Sequence, residues 1–173
     1  MPEQPEPWLR GELPGVHPVL APVLFALKQA REDLTKQTDG LSAEQIWLQP
    51  HDLGSVGFHL RHIAGSVDRL TAYLLGNELT EAQMLVLRTE KEPGAESDEL
   101  LAAINHSLDR AETVVRSADP ATFADPRYVG RKRLPTTVIG LIVHIAEHTQ
   151  RHVGQAISAA KLARRLADVT SSK

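Results

Sequence analysis

The amino-acid order leads to an all-α fold: a four-helix bundle with short helices in its connections. Three observations carry this. Four long segments repeat apolar residues at helical spacing, and no run alternates with the period of two that marks a half-buried strand. Aromatic residues, which sheets favour, are only 4% of the 173 residues. Apolar residues at 42% and charged residues at 24% suit one globular domain of ordinary size.

Taken in order, the start MPEQPEPWLRGELPG is acidic and proline-rich. It lacks the basic and apolar regions of a signal peptide and reads as a loose arm over 1–16, ahead of a single domain over 17–173. The first helix is expected from about 18 to 38, with Val19, Val23, Leu27, Ala30 and Leu34 on one stripe and Gly40 ending it. Pro18 and Pro22 are compatible with it only near its first turn. The second is expected from about 55 to 75, opened by Ser55 and stopped by Gly76. Val56, Leu60, Ile63, Val67, Leu70 and Leu74 form its seam. A third, striped by Leu100, Ile104, Leu108, Ala111 and Val115, lies between Ser97 and about Ala118, before Asp119-Pro120. A fourth starts near Pro135-Thr136 and runs to about Ala167, on the order of 45 Å at the helical rise. Ser42 with Gln45, and Thr80 with Gln83, match capping boxes and open short helices in the connections. Arg127, Arg131, Lys132 and Arg133 in PRYVGRKRLP read as a solvated loop.

Composition narrows the function. The formal charge of -3 gives no electrostatic case for nucleic acid. The absence of cysteine excludes disulfides, thiolate ligands and a cysteine nucleophile. No apolar run approaches the ~20 residues of a membrane span, so a cytoplasmic protein without membrane partners is expected. There is no GxSxG elbow, no phosphate-binding glycine loop and no zinc-finger spacing.

The histidines stand out. His144, His148 and His152 recur at four-residue steps, so they stack on one helix face with Gln155 close by. Val138, Leu141, Ile145, Ala156 and Ala159 border them, the pattern of a polar site set into a bundle core. A helical i, i+4 pair such as His148 and His152 can aim both imidazoles at one ion. A catalytic ion usually takes three protein ligands, so a third must come from elsewhere. The second helix offers His59 and His62 in GFHLRHIAG. On a helical wheel His59 lies about 60° from the seam and His62 about 120°, so His59 is slightly the more inward, but the wheel does not choose between them.

Two stretches, AEQIWLQPHDLGSVGFHLRHIAGSVDRLTAYLLG and LIVHIAEHTQRHVGQA, resemble the DinB-like superfamily of DNA-damage-inducible bundle proteins. The likeness runs from about His17 to Ala167 and also takes in Trp47, Pro50 and Gln155. It implies an up-down-down-up bundle, often a homodimer, that holds one divalent metal through His62, His148 and His152. It leaves His59 as a neighbour of the ligands and His144 as a flanking or pocket residue. It implies nickel or zinc, with iron, manganese or copper possible. Some members are S-transferases or isomerases that depend on a low-molecular-weight thiol, and others have no known reaction. The ergothioneine-synthesis relatives carry a second domain for which this chain has no room.

Three neutral imidazoles leave the full charge on an ion, which favours acidifying a bound water or thiol. The expected function is therefore a metal-dependent enzyme, such as a thiol S-transferase working through a metal-bound thiolate on a small-molecule substrate. Two alternatives stay open: a hydrolase using metal-bound hydroxide, and a non-catalytic metal-binding stress protein. A plain helical interaction module is a third, weaker reading. Glu147 is the carboxylate nearest the histidines in sequence and a candidate base, though its wheel angle points off their stripe. Trp47, His51 and Phe58 are candidate pocket walls, with packing and surface roles as the alternative. The first-helix stripe and the family likeness together suggest a homodimer.

Overall fold

The computed structural model describes residues 4–49 and 53–171. Six α-helices and one small hairpin follow in order: α1 (Ala21–Thr38), α2 (Ala43–Trp47), α3 (Val56–Leu74), α4 (Glu81–Thr89), α5 (Ser97–Arg116), β1 (Pro126–Val129), β2 (Leu134–Thr137) and α6 (Val138–Ser171). The chain is thus mostly helical. Its long helices share one apolar core that runs from Leu20 to Ala160. Within it α3 packs on both α5 and α6, α1 packs on α6, and α1 touches α5 more lightly.

The predicted stripes are the faces that enter this core. Val23, Leu27, Ala30 and Leu34 of α1, Leu60, Ile63 and Val67 of α3, and Leu100, Ile104, Leu108, Ala111 and Val115 of α5 are all buried. The α1 stripe is therefore used inside the chain, and only Val19, which precedes the helix, remains exposed. What supports a homodimer is then the family likeness alone. Helix α1 starts at Ala21 rather than near 18, because Pro22 lacks an amide proton and fits only the first turn. Both capping boxes form: Ser42 with Gln45 opens α2, and Thr80 with Gln83 opens α4.

The expectation of no strands is corrected by β1 and β2, which pair antiparallel from Pro126↔Thr137 to Val129↔Leu134. Each strand has four residues, too few for alternation to emerge. Pro126 and Pro135 read as breakers, yet a two-stranded ribbon consists only of edges, where proline is tolerated. The basic residues at 131–133 lie in its turn, and the Arg133 guanidinium sits 4.3 Å from the Tyr128 ring centroid. Helix α6 accordingly starts at Val138, after the strand that takes up Pro135 and Thr136. The hairpin also serves α3, since Arg127 Nε donates to the Leu74 carbonyl at 2.8 Å, one of the carbonyls left open at the helix end.

The segment expected as a loose arm makes specific contacts from residue 5 onward. Pro7 is buried, and Arg10 donates through both Nη atoms to the Glu32 carboxylate of α1 at 2.6 and 2.7 Å. No helix among the described residues is long and apolar enough to cross a membrane.

Leu108 on α5 is fully buried in the core. Leu108→Ala is expected to cost about 2–5 kcal/mol of stability, from lost transfer energy and the cavity left behind. Urea unfolding measures this, and a loss below about 1 kcal/mol would contradict the placement of α5 against the core.

Candidate metal centre

The start of α3 is set by Ser55, whose Oγ accepts the Phe58 amide at 3.1 Å. From that start His59 and His62 emerge in successive turns. The start of α6 is set by Thr137, whose Oγ1 accepts the Gly140 amide at 3.1 Å. From there α6 runs unbroken, so His144, His148 and His152 follow one turn apart. The two helices meet with His62 opposite His148 and His59 opposite His152, an antiparallel register.

Ring nitrogens face one another across this contact. His62 Nε2 lies 2.9 Å from His148 Nε2, and His59 Nδ1 lies 3.1 Å from His152 Nδ1. Ring centroids are 4.2 Å apart for His62 and His152, and 4.8 Å for His148 and His152. One ligating atom from each of His62, His148 and His152 can be chosen so that all lie within 4.8 Å of one another, and all three residues are half-buried. Among the described residues no other such group of three occurs.

Electrostatics favour the neutral form of His59, His148 and His152. Burial, and next the proximity of the His62 imidazole, push His59 down to about 4. Burial also leads at His152, pushed down to about 4, with His62, His148, His59 and Arg151 adding to it. His148 is lowered by burial first and by His62, His144 and Arg151 next. Neutral imidazole is the form that binds metal. Two neutral nitrogens 2.9 Å apart need one proton between them, so without an ion each facing pair must resolve into donor and acceptor. Imidazole nitrogens of three clustered histidines from two adjacent helices therefore fit a borderline divalent ion such as zinc or nickel.

The other expected residues divide around this cluster. His59 is the most buried of the histidines at 6% exposure, as the wheel suggested, and it touches the cluster through His152. Gly54 makes room for it, since a Cβ there would lie 2.7 Å from His59 Nε2. His144 is exposed, its ring centroid 5.3 Å from that of His148 and its Nδ1 2.9 Å from Glu147 Oε2. Glu147 is exposed and engaged by Arg151 and His144, with Arg151 the larger influence holding its carboxyl below the usual range. That arrangement leaves it turned away from the cluster. Phe58 lies beside the histidines, its ring centroid 5.0 Å from His59 and 5.6 Å from His62. Trp47 instead packs on Gly57 and donates its Nε1–H to the Ala95 carbonyl at 2.9 Å. Gln155 is exposed. Pro50 and His51 fall outside the described residues.

Two residues at the cluster carried no sequence expectation. Glu90, just after α4, places Oε1 3.0 Å from His62 Nδ1. Arg69 of α3 places Nη2 3.5 Å from Glu90 Oε2. Burial raises the Glu90 pKa, but the hydrogen bond with His62, joined by the nearby Arg69, outweighs it and holds the carboxyl below its ordinary value. Glu90 is remote from His62 in the chain, so nothing local marks it. Arg69 had a faint signal, because an arginine one heptad after His62 lies on the same helix face.

Two cavities lie elsewhere, one of about 520 Å³ lined by Trp8, Phe25 and Gln150 among others, and one of about 450 Å³ beside Arg31 and Asp109. Neither is lined by any of the clustered histidines.

A family model described as the DinB superfamily matches residues 26–156, a span that holds all five of these histidines. No curated protein matches the chain.

The lowered imidazoles give a pH dependence in the metal-free protein. Unfolded histidines take up protons near pH 6.5, whereas His59 and His152 wait until about 4. Between these values the unfolded state binds more protons, so stability rises with pH. The penalty is absent above about pH 6.5 and grows as pH falls toward 4. Urea titrations at several pH values above the carboxylate range, from about 7.5 to 5, should show this loss, and His59→Gln should reduce its slope. Equal stability across that window would contradict the neutral cluster.

Proposed function

The chain belongs to the DinB superfamily, and from that premise we infer that it is a divalent-metal enzyme that activates a small external thiol for transfer to an electrophilic substrate. One observation carries the reading: three half-buried imidazoles on α3 and α6 offer ring nitrogens within 4.8 Å of one another. His62, His148 and His152 would hold the ion. Nickel or zinc suits the nitrogen set best, with iron, manganese or copper also compatible. When bound, the ion supplies Lewis acidity, undiminished by ligand charge because the imidazoles are neutral.

The rest falls to the chain's own groups. His59 packs against His152 and restricts its ring. The Phe58 ring gives the cluster an apolar flank. The thiol must come from outside, since the chain has no cysteine. Both carboxylates near the cluster are engaged, Glu147 with Arg151 and His144, and Glu90 with His62 and Arg69. A thiol ionises near pH 8.5, against about 15.7 for bulk water, so it needs far less help from a base. That difference favours the thiol reaction over metal-assisted hydrolysis in a site whose carboxylates are committed. A non-catalytic metal-binding role is the remaining alternative. Family membership also leads us to propose the up-down-down-up order for α1, α3, α5 and α6, and a homodimer, which light scattering at micromolar concentration would test.

Elemental analysis of tag-free protein should find one divalent ion per chain, lost in His62→Ala, His148→Ala and His152→Ala. If His59→Ala removes the ion while His62→Ala keeps it, the ligand set is wrong. Turnover of an electrophile should require both thiol and metal and should vanish in His148→Ala. Metal-dependent ester or amide cleavage without thiol would point to the hydrolase. Thiol binding without either reaction would favour the non-catalytic role.

A further inference from the structure

We propose that Glu90 is a positioning residue of the metal centre: its carboxylate accepts a hydrogen bond from His62 Nδ1–H and so leaves the His62 Nε2 lone pair facing His148. The inference rests on the reading of His62 as a ligand and extends it to a residue on a different element.

Glu90 is 8% exposed, and carboxylates are seldom so buried unless paired. Its Oε1 lies 3.0 Å from His62 Nδ1. An ionised carboxylate offers only acceptors, so the proton in that contact belongs to the imidazole. A neutral imidazole protonated at Nδ1 carries its lone pair at Nε2. That atom is the one lying 2.9 Å from His148 Nε2.

The carboxylate is held in place from two sides. Arg61 of α3 donates through Nη1 to the carbonyls of Thr89, at 3.3 Å, and of Glu92. These two carbonyls bracket Glu90, so the segment is pinned to the helix that carries His62. Arg69, 8% exposed, brings Nη2 to 3.5 Å from Glu90 Oε2. Gly65 leaves room for it along α3: a Cβ there would fall 2.8 Å from Arg69 Nη1 and 3.2 Å from Val86 of α4. Gly65 therefore admits both the arginine and the close approach of α4, whose end delivers Glu90. A carboxylate behind a ligating imidazole fixes the ring's tautomer and orientation and raises its basicity. Removing such a partner typically lowers metal affinity about 10–100-fold.

A purely structural role, in which the Arg69–Glu90 pair only fastens α4 to α3, predicts no change in the protonation pattern of His62. The test therefore reads that pattern directly. The 173-residue chain, tag-free, metal-free and carrying ¹⁵N-labelled imidazoles, is compared by NMR at pH 8 as wild type, Glu90→Gln, Glu90→Leu and the double variant Glu90→Leu/Arg69→Met. The double variant removes both buried charges, so it keeps the test valid if the lone Arg69 unfolds Glu90→Leu. Affinities for zinc(II) alone and nickel(II) alone are measured by competition with a chromophoric chelator.

In the wild type His62 is expected as the Nδ1–H tautomer. In whichever leucine variant keeps the wild-type circular dichroism, it should shift toward Nε2–H, with zinc affinity lower by about 10–100-fold. Glu90→Gln, which retains an acceptor oxygen, should recover part of that loss. An unchanged Nδ1–H tautomer in a folded leucine variant, or a wild-type His62 that lacks it, overturns the proposal. Wild-type protein that binds neither ion overturns the metal reading instead, and the tautomer comparison alone then decides whether Glu90 sets the state of His62.

Discussion

Imidazoles meet nitrogen to nitrogen across the contact of α3 with α6, and the demands of that contact shape much of the surrounding structure. A buried polar group without a partner costs free energy, and a buried charge costs more. Histidine meets this demand in a particular way, because its ring can shed charge at modest cost. Burial accordingly leads the causes that lower His59, His148 and His152. The nitrogens then satisfy one another in pairs, at 2.9 and 3.1 Å. The antiparallel register of α3 against α6 is what makes the pairs coincide, since it sets His62 against His148 and His59 against His152 at once.

Much of the remaining architecture holds α3 where this contact needs it. Ser55 caps its start and Arg127, reaching from the hairpin, bonds its last carbonyl. Trp47 packs against Gly57, and the Arg61 guanidinium lies 4.8 Å from the centroid of the Trp47 ring. The same arginine bonds the chain beyond α4. One side chain thus joins the tryptophan before α3 to the connection that carries Glu90. The short α4 buries none of its residues, so its contribution lies in where it ends rather than in core packing.

A polar cluster set into an apolar seam is a local conflict between stability and the pattern around it, and such conflicts concentrate at functional sites. Here the conflict is softened in two steps. Neutral rings avoid buried charge, and Glu90 with Arg69 places one opposite pair beside His62. Exposed His144 and Glu147 take no part in this, although their sequence neighbourhood is the same. His144 shares the stripe but lies beyond the α3 contact, and Glu147, which points to solvent, bonds both it and Arg151.

Helix positions, their caps and their buried faces were legible in the amino-acid order, because periodicity and capping chemistry are local and each stripe had only one way to be buried. The HxxxH pair on α6 was legible for the same reason, since residues four apart share a helix face regardless of what lies opposite. The hairpin was not, because four-residue strands containing proline leave no alternation to read. The choice between His59 and His62 was not settled by the residues either. Both lie on the α6 side of α3, and only the antiparallel register assigns His62 to His148 and His59 to His152. Glu90 was the least legible of all. Its approach to His62 depends on Gly65 letting α4 close on α3 and on Arg61 fastening the chain beyond it. A contact between elements so far apart in the chain has no local pattern, because it exists only after the helices have packed.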